Sequence, residues 1–323
     1  MFIPIEEAVV VLKRGGIVAL PTETVYGLAA DATSAGAVKK IFVAKNRPAD
    51  NPLICHFYSI EQVKQYVETV PAYAVVLIDE FCPGPLSFLL PLKNDSLLLT
   101  ATAGKSSVVC RIPQHWLMLA IITQLNVPLA APSANTSGKI SPVNAQMVED
   151  DLGKKIDGIV DGGECVVGVE STIIDCRNPD QISILRPGVI GKTELEEVLT
   201  KHHITVPIIE SANESQVVPG NKYPHYSPTT PVKLIHSLDE LKDITDDIVI
   251  ISSDEKLNTV KDFNCRKLSL GSITDTELVA QNLYKNLKAI DDLKVSVAYY
   301  LETDWGQTSV GKAVENRLGK VAH

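Results

Sequence analysis

Short apolar runs alternate with helix-like patterns along the first two thirds of the chain. The runs cover residues 16–20, 52–57, 107–111, 127–131, 171–175 and 182–186. Their length and their content of Val, Ile and Leu are typical of strands rather than of helices. Thr193 and Glu196 form a capping-box pattern, which predicts that a helix closes this part of the chain. The pattern therefore predicts a first α/β domain with a mixed sheet.

The composition changes after this part and becomes polar and rich in proline between residues 211 and 231. Proline removes a backbone donor and disfavours helix, so this stretch is expected to run extended over a surface. Further apolar runs at 232–235, 248–251 and 295–299, with a helical pattern after Thr274 and Glu277, predict a small doubly wound α/β domain. We therefore expect a first domain at 1–205, a linker at 206–230 and a second domain at 231–323.

Composition is that of a globular protein. The chain has 323 residues, of which 45% are hydrophobic and 21% charged, enough for a core in each of two domains. No apolar run approaches the roughly 18 residues of a membrane span, and residues 1–7 lack the features of a signal peptide. We therefore expect a cytoplasmic protein that does not bind a membrane. The six cysteines form no Cys-x-x-Cys pair, which favours free structural thiols over a metal or redox site.

The formal net charge of −9 argues against a general affinity for nucleic acid. Cations that stand where an element meets a loop are more informative in such a chain. Lys45 and Arg47 follow a helical pattern, and Arg111 and Arg186 each end a predicted strand. Lys45 and Arg47 are either a solvated helix end that offsets the helix dipole or a phosphate clamp. The four cations together point towards an anion site without establishing it.

Polar residues near these cations also have two interpretations. Ser133 and Asn135 follow an apolar run and a proline, where they could cap a helix or donate to phosphate oxygens. His56 lies inside a predicted strand and is either a core histidine or a ligand-binding one. Thr22 and Thr24 could be turn residues.

Common nucleotide and nucleophile motifs are missing from the sequence. Residues 103–106 resemble the end of a phosphate-binding P-loop, but Leu99 stands where that motif requires glycine. No G-x-G-x-x-G motif opens a helix after a strand in the first domain, and no serine lies in a G-x-S-x-G turn. Covalent catalysis therefore has no support in the sequence.

Several segments together resemble the long, two-domain threonylcarbamoyl-AMP synthases. The segments are Pro21-Thr22-Glu23-Thr24-Val25-Tyr26-Gly27-Leu28, Lys45-Asn46-Arg47-Pro48 with Asn51-Pro52-Leu53, Pro83-Gly84-Pro85-Leu86, Ala131-Pro132-Ser133-Ala134-Asn135, Gly168-Val169-Glu170-Ser171-Thr172-Ile173, Leu185-Arg186-Pro187-Gly188, the stretch from Pro219 to Pro228, and Glu315-Asn316-Arg317-Leu318. The resemblance covers nearly the whole chain. Each segment alone is a weak signal, but the set is highly specific.

This resemblance implies a YrdC-like α/β domain with a twisted mixed sheet and a concave, positively charged cavity, a linker that can cover the cavity, and a small Rossmann-like α/β domain. It implies an enzyme that joins L-threonine, bicarbonate or CO2, and ATP with Mg²⁺ into threonylcarbamoyl-AMP and pyrophosphate. A tRNA threonylcarbamoyl transferase machinery would use the product on the adenosine beside the anticodon. Tight binding of tRNA by this chain is not expected.

The resemblance also implies roles for single residues. The expected L-threonine-binding positions are Thr24, His56, Arg111, Ala131 and Ser171. The expected ATP-binding positions are Arg47, Asn51, Ser107, Ser133, Asn135, Ser141, Arg186 and Tyr226. Lys45, Arg47 and Arg186 are expected to stabilise charge during catalysis, and no protein-bound metal is expected. Asn221 and Pro224 depart from the usual linker pattern.

Two alternatives from other classes stay open. One is an RNA-binding protein that uses the same cationic cavity, which salt-sensitive RNA binding without threonine-dependent ATP turnover would reveal. The other is a carbamoyl-adenylate enzyme of the hydrogenase-maturation type, which would normally carry zinc-finger segments that the cysteine spacing here does not offer. No constellation of catalytic residues appears in the second domain, so a structural role is expected there.

Overall fold

The computed structural model describes residues 1–210, 218, 226–242, 247–260 and 265–322. In the first domain the elements are α1 (Ile5–Lys13), β1 (Val18–Leu20), β2 (Gly27–Asp31), α2 (Ala35–Lys45), β3 (Ile54–His56), α3 (Ile60–Tyr66), α4 (Ala72–Phe81), β4 (Leu86–Pro91), β5 (Ser107–Arg111), α5 (Trp116–Leu125), β6 (Leu129–Ala130), α6 (Ala145–Leu152), β7 (Gly158–Ile159), β8 (Thr172–Asp175), β9 (Ile182–Arg186), α7 (Lys192–Lys201) and β10 (Ile208–Glu210). The second domain contains β11 (Val232–Ile235), β12 (Val249–Ser252), α8 (Asp254–Thr259), β13 (Arg266–Ser269), α9 (Thr276–Asp292), β14 (Ala298–Leu301) and α10 (Ser309–Val321).

The first sheet has ten strands in the order β10-β9-β8-β4-β5-β3-β6-β2-β1-β7. The sheet contains both parallel and antiparallel pairs; β4 pairs antiparallel with β5 and parallel with β8, for example. The prediction of a mixed sheet is therefore confirmed. β10 pairs with β9, so the chain as far as Glu210 belongs to this sheet.

The two faces of this sheet differ in chemistry. On β5, Val108 and Cys110 point into the main core, whereas Val109 packs with the apolar residues of another cluster. Side chains alternate along a strand, so Arg111 shares the face of Val109. That face carries a patch of Ile54, Leu89, Val109, Ile173 and Leu185, which packs with Val218. Polar residues at the strand ends therefore surround an apolar patch, and Val218 of the same chain packs on this patch.

The second sheet is parallel throughout, in the order β11-β14-β12-β13. A parallel sheet needs crossover connections, which here include α8 and α9, as in other doubly wound domains. This confirms the predicted Rossmann-like second domain. The main hydrophobic core continues from the first domain into the second, through residues such as Tyr284, Leu287 and Trp305.

Some local predictions were wrong. Helix α7 is capped by Gly191, whose amide donates to Glu194 at 2.8 Å, and not by Thr193 with Glu196. Helix α9 is capped by Asp275, whose carboxylate accepts from the Leu278 amide at 3.1 Å, and not by Thr274. Both helices exist where expected, so only the cap position was misplaced.

The cysteines fit the prediction of structural thiols. All six are free, four of them buried, while Cys82 and Cys265 are partly exposed. In the part of the chain that the structure describes, no helix is both long enough and apolar enough to cross a membrane.

Candidate active site

The loop between β1 and β2 is organised by one hydroxyl. Oγ1 of Thr22 accepts from the amides of Thr24 and Val25 at 3.1 and 3.2 Å, and donates to the Val25 carbonyl at 2.7 Å. It also lies 2.9 Å from the hydroxyl of Thr24, which is fully buried. Thr22 is therefore a turn residue, as one interpretation expected, and its turn holds Thr24 in a fixed place.

A second loop packs directly on the first. The Leu28 amide donates to Pro132, and the Ala134 amide donates to Tyr26, both at 2.8 Å. A Cβ added to Gly27 would lie 3.1 Å from Cβ of Ala131, closer than most such contacts. The segments 21–28 and 131–135, separate in sequence, therefore form one wall.

Lys45 holds this wall from behind. Its ammonium donates to the carbonyl oxygens of Ser133 and Asn135, each at 2.5 Å. The residue is 1% exposed, so the interpretation as a solvated helix end is wrong for it. Burial, with nearby Arg47, lowers the pKa of Lys45 well below its usual value. Its contacts are with the backbone of the loop, so Lys45 shapes the wall.

Arg47 is fixed by the turn that follows it. Its guanidinium donates to Oδ1 of Asn51 at 2.7 Å, to the Asn51 carbonyl at 3.1 Å and to the Pro52 carbonyl at 2.8 Å. The residue is 9% exposed, so it too is not a solvated helix end. Asn51 thus fixes the orientation of the Arg47 guanidinium.

Arg111 and His56 lie next to each other because β3 and β5 pair in parallel with these residues in register. Nε of Arg111 donates to the Gly84 carbonyl at 3.3 Å, and Nη2 lies 2.8 Å from Oε1 of Glu23. Burial, with the positive charge of Arg111, lowers the pKa of His56 to about 3. Nδ1 of His56 has no hydrogen-bond partner among the described residues. His56 is therefore neutral.

Arg186 ends β9 and its side chain binds Ser171, the residue immediately before β8. Its Nε and Nη2 donate to the Ser171 carbonyl at 3.0 and 2.9 Å, and Nη2 donates to the Ser171 hydroxyl at 3.1 Å. That hydroxyl also lies 2.8 Å from the Ser87 hydroxyl. Burial lowers the pKa of Arg186, yet arginine stays protonated at neutral pH. Arg186 is thus a buried cation whose orientation Ser171 fixes.

A buried carboxylate, Glu170, joins the two domains. It accepts from the Ser141 hydroxyl at 2.7 Å, from the Tyr284 hydroxyl at 2.8 and 3.0 Å, and from Nε of Arg317 at 3.0 Å. Burial alone would raise the pKa of Glu170, but Arg317, Arg186 and the Ser141 hydrogen bond lower it to about 2. Arg317 is fully buried and also donates to Pro187 at 2.6 Å. The second domain therefore supplies part of the support for the cavity.

Tyr226 covers the cavity beside this cluster. Its ring stacks on Tyr284 at 5.6 Å between centroids, and Cζ of Arg317 lies 5.6 Å from its centre. Burial, with the charge of Glu170, raises the pKa of Tyr226 to about 12. The ring is 4% exposed and its backbone φ is +70°. Residues 219–225, including Asn221 and Pro224, lie outside the described residues.

These groups enclose a cavity of about 60 Å³. Of the predicted site residues, eight line it: Thr24, Arg47, His56, Arg111, Ala131, Ser133, Arg186 and Tyr226. Five others hydrogen-bond from behind to residues that line the cavity: Lys45, Asn51, Asn135, Ser141 and Ser171. Ser107 stands four residues before Arg111 on the same strand, about 13 Å away along it.

A larger cleft of about 640 Å³ lies outside this cavity. Pro187 and Gly188 form one side, and Lys312 and Lys320 of α10 form the other. Burial, with Arg317 and Arg186, lowers the pKa of Lys320 to about 8. We place the site in the smaller cavity because the buried cations, hydroxyls and histidine converge there, which is a better indicator than volume.

Family models match both parts of the chain. Residues 10–188 match the model of the Sua5, YciO and YrdC proteins, described as telomere recombination, and residues 190–323 match the threonylcarbamoyl-AMP synthase C-terminal domain. The chain is 39% identical over 326 residues to the Bacillus subtilis threonylcarbamoyl-AMP synthase, covering 98% of this chain and 92% of the relative. The chain belongs to the threonylcarbamoyl-AMP synthase family. The Pyrococcus abyssi member is 38% identical, with 96% of this chain and 92% of that one covered.

A solved structure supports the same assignment. The crystal structure of P. abyssi Sua5 complexed with L-threonine matches with a TM-score of 0.86 at 36% identity, covering 98% of this chain and 94% of that one. The predicted family and two-domain fold are therefore confirmed. Like the family, the chain is an enzyme that makes threonylcarbamoyl-AMP by nucleotidyl transfer, and the RNA-binding alternative is not favoured.

Sequence reasoning gave no role to four residues of this family member that the structure places at the site. They are Glu23, Glu170, Tyr284 and Arg317. Glu23, Glu170 and Arg317 stand inside segments that carried the family resemblance, which was the available signal. Tyr284 lies within α9 and had no such signal, because a buried tyrosine on a helix usually belongs to the core.

Proposed function

We propose that the cavity beneath Tyr226 is where this family member joins L-threonine, CO2 or bicarbonate, and ATP. The observation that supports this most strongly is the convergence of Arg47, Arg111 and Arg186 with the neutral His56 around one buried space. Three fixed cations suit the phosphates of ATP and the carboxylate of L-threonine. No side chain placed as a nucleophile is required, because the reaction needs positioning and charge stabilisation.

We assign the amino-acid side of the cavity to Thr24, His56, Arg111 and Ala131, with Ser171 behind it. Arg111 would bind the threonine carboxylate, since a guanidinium matches a carboxylate in shape and charge. His56, being neutral, could exchange a hydrogen bond with the substrate without adding charge. The P. abyssi Sua5 structure was obtained with L-threonine bound, which supports this choice of amino acid.

We assign the nucleotide side to Arg47, Ser133, Arg186 and Tyr226. Asn51, Asn135 and Ser141 would act here by holding these groups, and Ser107 would reach the nucleotide from the start of β5. ATP is expected to enter as its magnesium complex, and its phosphate oxygens would be the metal ligands. Among the described residues, no group of three His, Cys, Asp or Glu side chains is placed to bind a metal.

The reaction would proceed in two steps. The threonine amine attacks the carbon of CO2 and loses a proton to solvent or to a nearby base, giving a carbamate. A carbamate oxygen then attacks the α-phosphorus in line, the bond from this phosphorus to the bridging oxygen breaks, and pyrophosphate leaves. Arg47 and Arg186 would stabilise the charge on the phosphates, and Lys45 would keep the loop of Ser133 in place.

The small volume of the cavity indicates a closed state. Ligand pockets commonly measure about 300–1,000 Å³, far above the 60 Å³ enclosed here. ATP entry would require Tyr226 to move from its place on Tyr284. Once back, Tyr226 would keep water from the adenylate. The product would pass to the enzymes that modify tRNA, and we expect this to happen in the cytoplasm.

The test is pyrophosphate release from ATP and bicarbonate by the purified protein, with L-threonine, L-serine, L-valine or no amino acid. We expect release that depends on L-threonine. Release that is absent, or that does not depend on threonine, would contradict the proposal.

A further inference from the structure

Glu23 and Arg111 form a buried ion pair that the two reaction steps do not use. Nη2 of Arg111 lies 2.8 Å from Oε1 of Glu23, and the two side chains are 5% and 3% exposed. The backbone of Glu23 is fixed, because its carbonyl accepts from the Val167 amide at 2.8 Å. Glu23 stands behind Arg111 and is not part of the cavity wall.

This pair is held by charge more than by hydrogen bonds. Neither carboxylate oxygen of Glu23 has a hydrogen-bond partner among the described residues, and Nη2 of Arg111 has none either. The short contact therefore lacks hydrogen-bond geometry but retains its Coulomb attraction. Because the pair is buried, solvent and salt screen its field only weakly, and Glu23 acts on any ligand that reaches Arg111.

The consequence concerns the charge on the Arg111 side of the cavity. Glu23 offsets the charge of Arg111, so the pair together is close to neutral. A neutral pair of opposite charges suits a ligand that itself carries both charges.

We propose that Glu23 makes the Arg111 side of the cavity selective for zwitterionic amino acids over simple anions. The inference rests on the proposed function, in which Arg111 binds the threonine carboxylate. Glu23 repels that carboxylate but attracts the ammonium of the same molecule, so the two effects offset each other. A carboxylate without an ammonium, or a phosphate of ATP, is repelled by Glu23 and gains no offsetting attraction from it.

The test compares L-threonine with 3-hydroxybutyrate, which is threonine without its amino group. The readout is the inhibition constant of 3-hydroxybutyrate against L-threonine in pyrophosphate release, divided by the KM for L-threonine. Glu23→Gln keeps the shape and removes the charge, and it should lower this ratio by about tenfold or more. Glu23→Asp keeps the charge and should stay within about threefold of the native ratio.

Glu196→Gln is the matched control, since it removes a negative charge from an exposed position on α7. It should leave the ratio unchanged. Equal ratios in native protein and Glu23→Gln would overturn the inference while leaving threonine-dependent release intact. If Glu23 had a purely structural role, Glu23→Gln and Glu23→Asp would both change the stability of the protein, and neither would change the ratio of the inhibition constant to the KM.

A second measurement uses the native protein alone. In the native protein, 3-hydroxybutyrate should bind at least about tenfold more weakly than L-threonine, because it has no ammonium to offset the repulsion between Glu23 and its carboxylate. Equal affinities would also overturn the inference. Failure of threonine-dependent release in the native protein would instead remove the proposed function on which the inference rests.

Discussion

At the scale of single residues, the site depends on polar side chains whose partners are fixed before any substrate arrives. Arg186 and Arg47 each use several donors on neighbouring backbone or side-chain oxygens. His56 is kept neutral by burial and by Arg111. Such fixed groups can act on a transition state without rearranging, which is the main source of electrostatic catalysis.

The burial of His56 predicts a specific pH dependence of stability. The unfolded chain binds a proton at this histidine below about pH 6.5, whereas the folded chain does so only near pH 3. The free energy of unfolding therefore falls as pH falls through this window, by about 1.4 kcal/mol per pH unit from this site. His56→Gln should remove that contribution, as urea unfolding between pH 6.5 and pH 4 would measure.

The matched control for this prediction is His202→Gln, at an exposed histidine. It should leave the pH dependence of the native protein unchanged. If the difference in stability between native protein and His56→Gln is the same at every pH, the account of His56 is wrong.

At the scale of elements, the sequence pattern located the strands that carry the site and misplaced others. β5 and β9 coincide with the predicted runs at 107–111 and 182–186, because their apolar residues are bounded by polar ones. β14 begins at Ala298 instead of Val295, since the chain needs residues after α9 to turn, with Lys294 at a φ of +53°. β2 was missed because Gly-Leu-Ala-Ala lacks β-branched residues.

The site was predictable from the sequence only where its residues stand in contiguous motifs. The turn at Thr22 is local, so the chemistry of threonine pointed to it. Arg47 and Asn51 were named as site positions through the family resemblance, and their pairing is seen in the structure. Glu170 and Arg317 are 147 residues apart and meet only through the packing of two domains. No periodicity or propensity contains that information, because it depends on tertiary contacts.

Lys45 provides a test at this scale, since it links α2 to the loop of residues 133–135. Lys45→Met would leave two buried carbonyl oxygens without their donors, which costs about 1–3 kcal/mol for each unpaired group. We expect a lower melting temperature and a KM for ATP raised by about tenfold, the equivalent of about 1.4 kcal/mol. Calorimetry and steady-state kinetics would measure both.

Lys39→Met makes the same substitution at an exposed position of the same helix. It should leave both quantities close to native values. A Lys45→Met protein with native stability and a native KM for ATP would show that the ammonium does not organise the loop.

At the scale of the whole molecule, the described part of the second domain supports the proposed site through Glu170. Its Tyr284 and Arg317 hold Glu170, and Glu170 holds Ser141. Gly168 lets the two domains approach: its φ is +79°, and a Cβ there would lie 2.4 Å from the Ala280 carbonyl oxygen. The structural role expected for this domain is therefore tied to the cavity beneath Tyr226.

The buried pair of Glu170 and Arg317 predicts a non-additive effect on stability. Arg317→Met leaves Glu170 buried without its cation and should lower the free energy of unfolding by about 3–5 kcal/mol. Adding Glu170→Gln removes the unpaired charge, so the double variant should recover part of that loss. Denaturant unfolding of the native, single and double variants would measure it. A double variant less stable than Arg317→Met would contradict this reading.

The most direct test of the central claim is whether the cavity beneath Tyr226 makes threonylcarbamoyl-AMP. The measurement is mass spectrometry of the adenylate formed from L-threonine, bicarbonate and ATP by native protein, Arg186→Gln and the control Glu196→Gln. The account predicts that native protein and Glu196→Gln form the adenylate at similar rates, and that Arg186→Gln loses about a hundredfold or more. Adenylate formed by Arg186→Gln at the native rate would contradict the placement of the site.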